Sequence, residues 1–128
     1  MINCPFMDTL VENQSAPWPW PDSLDALIAA PDHHPILLEN DRVRVTETKL
    51  MPGERTGLHC HKWPSLLYMI SFSDFVRYDK DGKPAFDTRT LAKPITAPSS
   101  IYYGPLDPHA TLNVGQSLLH VISVELKD

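Results

Sequence analysis

Cysteine is scarce in this chain: Cys4 and Cys60 are the only two among 128 residues. Two thiols make no disulfide framework, so the core itself must hold the fold, and the reducing cytoplasm is the expected compartment. Glycine is scarce as well, with five residues. Neither a Gly-rich phosphate loop nor a G-x-S-x-G nucleophile elbow is present. Basic residues are outnumbered, 11 Lys and Arg against 16 Asp and Glu, for a formal net charge of -5. That balance offers no basic stripe to a phosphate backbone, and no nucleic-acid partner is expected. No apolar run approaches a membrane-spanning length, so no membrane partner is expected either. The N-terminal stretch MINCPFMDTLVENQ lacks a basic n-region leading into an apolar segment, and no signal peptide is read there.

Proline, in contrast, is abundant. Thirteen prolines are scattered as punctuation rather than gathered in one tract, which favours short strands and turns over a helical bundle. The length is that of one domain able to bury a core without staples. Residues 1–35 read as an N-terminal arm. In it Pro17, Pro19 and Pro21 hold the chain extended, and Asp22 or Ser23 caps a short helix through Leu24, Leu27 and Ile28 that Pro31 ends. Trp18 and Trp20 are expected to lie over the outside of the domain or over a second subunit, with a sticky peptide ligand as the alternative.

From Ile36 onward, in residues 36–128, the pattern has the two-residue period of strands. DRVRVTETKL puts Val43 and Val45 on one face and Thr46 and Thr48 on the other. SLLYMISF is apolar on both faces, so cover on both sides is expected. A hairpin turn is read at Asp81-Gly82 and further turns at Gly104-Pro105 and Gly115-Gln116. The sum is about eight short strands, the pattern of a sandwich, jelly roll or barrel.

Chemistry concentrates in GERTGLHCHKWPS, residues 53–65. Side chains alternate along a strand, so His59 and His61 share a face while Cys60 points the other way. Two imidazoles on one face can bind a transition metal, although with six histidines in the chain a lone H-x-H also arises by chance.

Wider spacing narrows the choice. Gly53, His59 and His61 match G-x5-H-x-H, and far downstream His109 and Asn113 match H-x3-N. In these residues the chain resembles the cupin superfamily, over about residues 36 to 126. The resemblance implies an all-β, double-stranded β-helix (jelly-roll) barrel in which His59, His61 and His109 converge on one metal. Two departures stand out: the first motif's glutamate position holds Ser65, followed by Leu66 and Leu67, and its closing glycine is Phe72. The glycine, proline and glycine preceding the second motif's histidine are replaced by Pro98, Gly104 and Leu106. Three neutral imidazoles suit Fe, Ni, Zn or Cu far better than Mg or Ca. Without a carboxylate the ion would keep its +2 charge and favour an anionic ligand. Three-histidine iron cupins, the thiol dioxygenases and the acetylacetone-cleaving enzyme, suggest oxygen-dependent oxidation of a small anionic organic molecule. The alternative is a non-catalytic cupin that binds a small-molecule ligand or acts as a sensor, or whose histidines are hydrogen-bonded interior residues.

Further candidates follow. Ser65, Tyr103, Asn113 and Arg55 are possible pocket residues, with Arg55 otherwise expected in a surface salt bridge and Asn113 otherwise anchoring a turn. Trp63 either walls the mouth or packs outside. His33 and His34, in a loop, are expected to be solvated or helix-end partners, and His120 to be packed or dimer-facing. A homodimer is expected, because the two-faced strand and the Trp-rich arm both need cover.

Overall fold

The computed structural model describes residues 17–127. Cys4 and the stretch read as lacking a signal peptide lie outside these residues. Nine strands follow in order: β1 (Ile36–Glu39), β2 (Val43–Leu50), β3 (His59–His61), β4 (Ser65–Ser71), β5 (Phe75–Asp79), β6 (Pro84–Asp87), β7 (Ser99–Tyr103), β8 (Leu106–Asn113) and β9 (Leu119–Leu126). They form two antiparallel sheets, ordered β1-β2-β9-β4-β7 and β3-β8-β5-β6. Consecutive strands therefore fall mostly in opposite sheets, as a jelly roll requires. Among the described residues no helix is long and apolar enough to cross a membrane.

The turns form for local reasons. Gly82 and Gly53 adopt φ of 80° and 84°, the left-handed region that a Cβ disfavours. At the β5–β6 hairpin the Asp79 carboxylate accepts from the Asp81 and Lys83 amides, both at 2.9 Å.

Between the sheets lies a core of Leu50, Met69, Phe75 and Leu119, joined by Phe72, Phe86 and Val121. One polarity is unexpected. On β2 the buried positions are Arg44, Thr46 and Leu50, so the face with most of the polar residues turns inward while Val43 and Val45 turn outward. On β4, Ser65 and Met69 are buried, while Leu66, Tyr68 and Ile70 are exposed on the outer face. Within one chain that strand is covered on one side only, against the two-sided cover expected from its sequence. The interior accepts polar groups because it encloses a site, as described below.

The N-terminal segment also departs from expectation. Asp22–Leu24 is a 3-10 turn, and the helix, α1, is only Ala26–Ala29. Its cap is Asp25, neither Asp22 nor Ser23, and the Asp25 carboxylate accepts from the Leu27 amide at 3.1 Å. The helix turns Ala26 inward and leaves Ile28 exposed, because small side chains permit the closest approach to the barrel. A second 3-10 turn, Pro31–His33, leads into β1.

At the far end of the barrel Asn113 ties the β8–β9 turn. Its amide nitrogen donates to the carbonyls of Leu50 (2.8 Å) and Ser117 (2.9 Å). Its oxygen accepts from the Ser73 hydroxyl (2.7 Å) and the Gly115 amide (2.9 Å). All four hydrogen-bonding positions of the buried amide are used, so Asn113 anchors a turn and does not enter the cavity. A Cβ on Gly115 would stand 2.2 Å from the Ser73 hydroxyl and 2.8 Å from the Asp74 backbone nitrogen. Gly115→Ala is therefore expected to destabilise the fold by about 1–3 kcal/mol, read as a lower midpoint in urea; an unchanged midpoint would show that the turn relaxes freely.

Candidate metal centre

His59 and His61 project inward from β3, and His109 faces them from β8, where it is the register partner of His59. The ring centroids of His59 and His109 are 4.4 Å apart, and those of His61 and His109 are 5.5 Å apart. The residues far apart in sequence thus meet at one place. A fourth ring joins them: His34 lies 4.4 Å from His59 and 5.4 Å from His61 by centroid. His34 is buried, not solvated, because the Pro31–His33 turn swings it into the barrel mouth. Sequence periodicity could not reveal this, since His34 precedes the first strand and belongs to no alternating pattern.

Hydrogen bonds fix the orientation of every ring. His59 Nδ1 lies 2.7 Å from the Gly57 carbonyl, His109 Nδ1 2.7 Å from the Asp107 carbonyl, and His34 Nδ1 2.9 Å from the Ala30 carbonyl. His61 Nδ1 lies 3.0 Å from a Glu125 carboxylate oxygen. Each partner can only accept, so each Nδ1 carries a proton; in His34, His59 and His109, which burial holds neutral, Nε2 keeps its lone pair. That is how ligating histidines are prepared. The ligand nitrogens of His34, His59 and His61 lie within 4.8 Å of one another. Two neighbouring nitrogens on one ion, each at about 2.1 Å, stand about 3.0–3.4 Å apart in octahedral or tetrahedral geometry, a gap that side-chain rotations close. These three histidines can hold a metal ion, and the all-imidazole donor set fits a divalent transition metal.

The missing carboxylate is nearby after all. Ser65 is the register partner of Glu125 on β9, so the acid stands on the neighbouring strand. Glu125 is 1% exposed. One of its oxygens accepts from His61 and the other from the Arg44 guanidinium. Both oxygens are engaged, so Glu125 orients His61. Arg44 in turn makes a two-pronged pair with Asp25, at 2.9 and 3.1 Å. A continuous chain runs from the cap of α1 through Asp25, Arg44 and Glu125 to His61. Burial would raise the Glu125 carboxyl, but the hydrogen bonds from His61 and Arg44 outweigh it and hold the group below its ordinary range. No sequence spacing announced Glu125; its position in an apolar alternating strand was the one available sign.

Other candidates fall as follows. Ser65 and Tyr103 line the cavity; Arg55 does not, its guanidinium instead lying 4.9 Å from the Tyr78 ring. Trp63 stacks outside, with the Arg44 guanidinium 5.0 Å from its ring. Cys60 faces away from the histidines toward Trp18 and Trp63, and burial pushes its thiol up. Trp20 donates to the Asp107 carboxylate at 3.0 Å, so the arm lies over its own domain. His120 lies on the outer sheet face, hydrogen-bonded to Glu47 at 2.6 Å.

No family model matches the chain and no curated protein matches it. Solved structures do. A cupin domain from Bordetella pertussis Tohama I is 20% identical, covering 74% of this chain and 92% of that one, with a TM-score of 0.60. An RmlC-like cupin with a double-stranded β-helix fold from Methanocaldococcus jannaschii is 15% identical, covering 72% and 76%, with a TM-score of 0.53. An uncharacterized protein with a double-stranded β-helix domain from Klebsiella pneumoniae is 16% identical, covering 73% and 70%, at 0.51. The chain has the cupin fold.

Burial lowers His34 from 6.5 to about 4 and His109 to about 3, with repulsion from His61 as the next cause in each. Burial lowers His59 further still. Groups depressed in the folded state take up protons on unfolding, so their stability is complete above about pH 6.5 and is lost as pH falls toward 4 and 3. Glu125 acts in the same direction at lower pH. The metal-free protein should show a midpoint of thermal unfolding that falls continuously from pH 7 to pH 4. Equal midpoints at both ends would contradict neutral buried imidazoles.

Proposed function

We propose that the protein is a metal-binding cupin in which His59 and His61, with His109 and His34, hold one divalent transition metal: Fe, Ni, Zn or Cu. The observation that carries this reading is the uniform pinning of Nδ1 in all four rings. Interior histidines with a merely structural role have no need to present the same nitrogen toward one another. A bound ion would supply Lewis acidity or, as iron, chemistry with oxygen. The protein's own residues do the rest. Gly57, Asp107, Ala30 and Glu125 orient the rings, and Leu50, Met69, Phe75 and Leu119 give the cavity an apolar wall.

The proposed activity is oxidation of a small anionic organic molecule by molecular oxygen, a dioxygenase reaction. Its support is the charge of the site: neutral imidazoles leave an ion at +2, and Glu125 is already engaged by Arg44. The second reading, a cupin that binds a small molecule without turning it over, is favoured by the largely apolar cavity wall. A cytoplasmic setting suits the buried free thiol of Cys60. Protein purified without a histidine tag should carry about one metal equivalent per chain, lost in His59→Ala and His61→Ala. Less than ~0.1 equivalent with no later uptake of iron, nickel or zinc would overturn the metal site. Oxygen uptake by the iron-loaded form with β-diketones or small thiols supports the dioxygenase. No uptake, with a ligand that raises the unfolding temperature, supports the binding reading.

We further propose a homodimer through the outer face of the larger sheet. Leu66, Tyr68 and Ile70 are 42%, 46% and 41% exposed there, and Leu38, Tyr102 and Leu126 add to the same apolar face. Light scattering should give about twice the 14.4 kDa of one chain, with Tyr68→Glu shifting the protein toward a monomer. A wild-type monomer at micromolar concentration would contradict the interface.

A further inference from the structure

The cavity beside the histidines contains a cation, Arg77, that no carboxylate among the described residues neutralises. Arg77 stands on β5, opposite Phe86 on one side and Thr111 on the other, and lines the same cavity as His109 and Tyr103. Its guanidinium carbon lies 5.1 Å from the Tyr103 ring and 5.3 Å from the Phe86 ring. Two aromatic faces therefore hold the group in place. Among the described residues no acid forms an ion pair with it. Its Nε is, among these residues, the one buried side-chain nitrogen or oxygen lacking a hydrogen-bond partner. Arg44 shows the contrast: its guanidinium is matched by two carboxylates.

An unpaired buried donor is costly, and more so when charged. A fold tolerates such a group where a ligand completes it. The surroundings define that ligand. Among the described residues no second Lys or Arg side chain lines the cavity, so a monoanion matches this guanidinium better than a phosphate or a sulfate. A planar carboxylate fits the guanidinium fork, in which Nε and a terminal nitrogen donate side by side. Most of the remaining wall is apolar, formed by Leu50, Met69, Phe75, Ile101 and Leu119, with threonine and serine hydroxyls, Ser65 and Thr111 among them, set between these side chains. The cavity volume, about 110 Å³, is several times the ~10–15 Å³ that one water needs on the same scale.

We propose that Arg77 is the recognition residue for the carboxylate of a small monocarboxylic acid whose apolar body lies on the Leu50, Met69 and Phe75 wall. This rests on the ligand-binding reading of the cavity and does not depend on which ion the histidines hold. Arg77 thereby takes the place in the pocket that the sequence suggested for Arg55.

The test uses the whole protein stripped of metal with a chelator, titrated calorimetrically with benzoate and butyrate and with their neutral amides. Saturable binding of the acids is expected, with the amides weaker by about tenfold or more. Arg77→Met keeps the packing against Phe86 and Tyr103 and should lose about tenfold or more in acid affinity, with no change for the amides. Arg77→Lys should recover part of the loss, and Arg55→Gln should match wild type. Circular dichroism confirms that each variant is folded. Equal binding of acid and amide, an unaffected Arg77→Met variant, or no binding of any acid would overturn the inference. Metal content is read separately on untreated samples, so failure of the histidine site and failure of Arg77 give different results.

Discussion

The guanidinium of Arg44 is the charge on which the interior depends. It is 6% exposed and stands between two acids, Asp25 and Glu125, of which the second is almost completely buried. Removing Arg44 would leave Glu125 as an uncompensated interior anion, a loss of about 3–5 kcal/mol for pairs of this kind. The same contact joins three parts of the chain. Asp25 caps the short helix before the barrel, Arg44 lies on the second strand, and Glu125 lies on the last. Because Glu125 accepts from His61, the orientation of the His61 ring is settled by a charge pair that begins in the N-terminal segment. That segment is also the source of His34, so the arm belongs to the site rather than to its wrapping.

This arrangement explains how the barrel does without the glutamate its sequence motif leads one to expect. Ser65 occupies the position, but its cross-strand neighbour Glu125 brings a carboxylate to the same region. There it grips a histidine from behind. The acid is shared with Arg44, so its charge is largely spent within the protein. An ion among the imidazoles would retain its positive charge, and Arg77 would add another nearby. Both properties favour an anionic small molecule, whatever is then done to it.

Much of this was legible from residue order. Strand parity put His59 and His61 on one face with Cys60 opposed, and the cupin resemblance, carried by Gly53, His59, His61, His109 and Asn113, implied their meeting with His109. The Asp81-Gly82 hairpin followed from turn chemistry alone. What stayed hidden has a common cause. His34 comes from an irregular turn, which has no period to read. Glu125 and Arg44 are polar residues on inward strand positions, where the usual rule puts apolar ones; the polar face of β2 turns inward because the interior is a site. Arg77 and Arg55 are equally plausible in sequence. Which of them enters the cavity depends on strand facing and on the aromatic rings that receive each.

The central claim is that Nε2 lone pairs from separate segments meet at one ion while Glu125 stays behind His61. Anomalous diffraction from crystals of metal-loaded protein tests it most directly. A single peak is expected about 2.0–2.1 Å from Nε2 of His34, His59, His61 and His109, with the Glu125 oxygens still on His61 Nδ1 and Arg44. A peak bonded to Glu125, or no peak among these rings in protein that retains its metal, would contradict it.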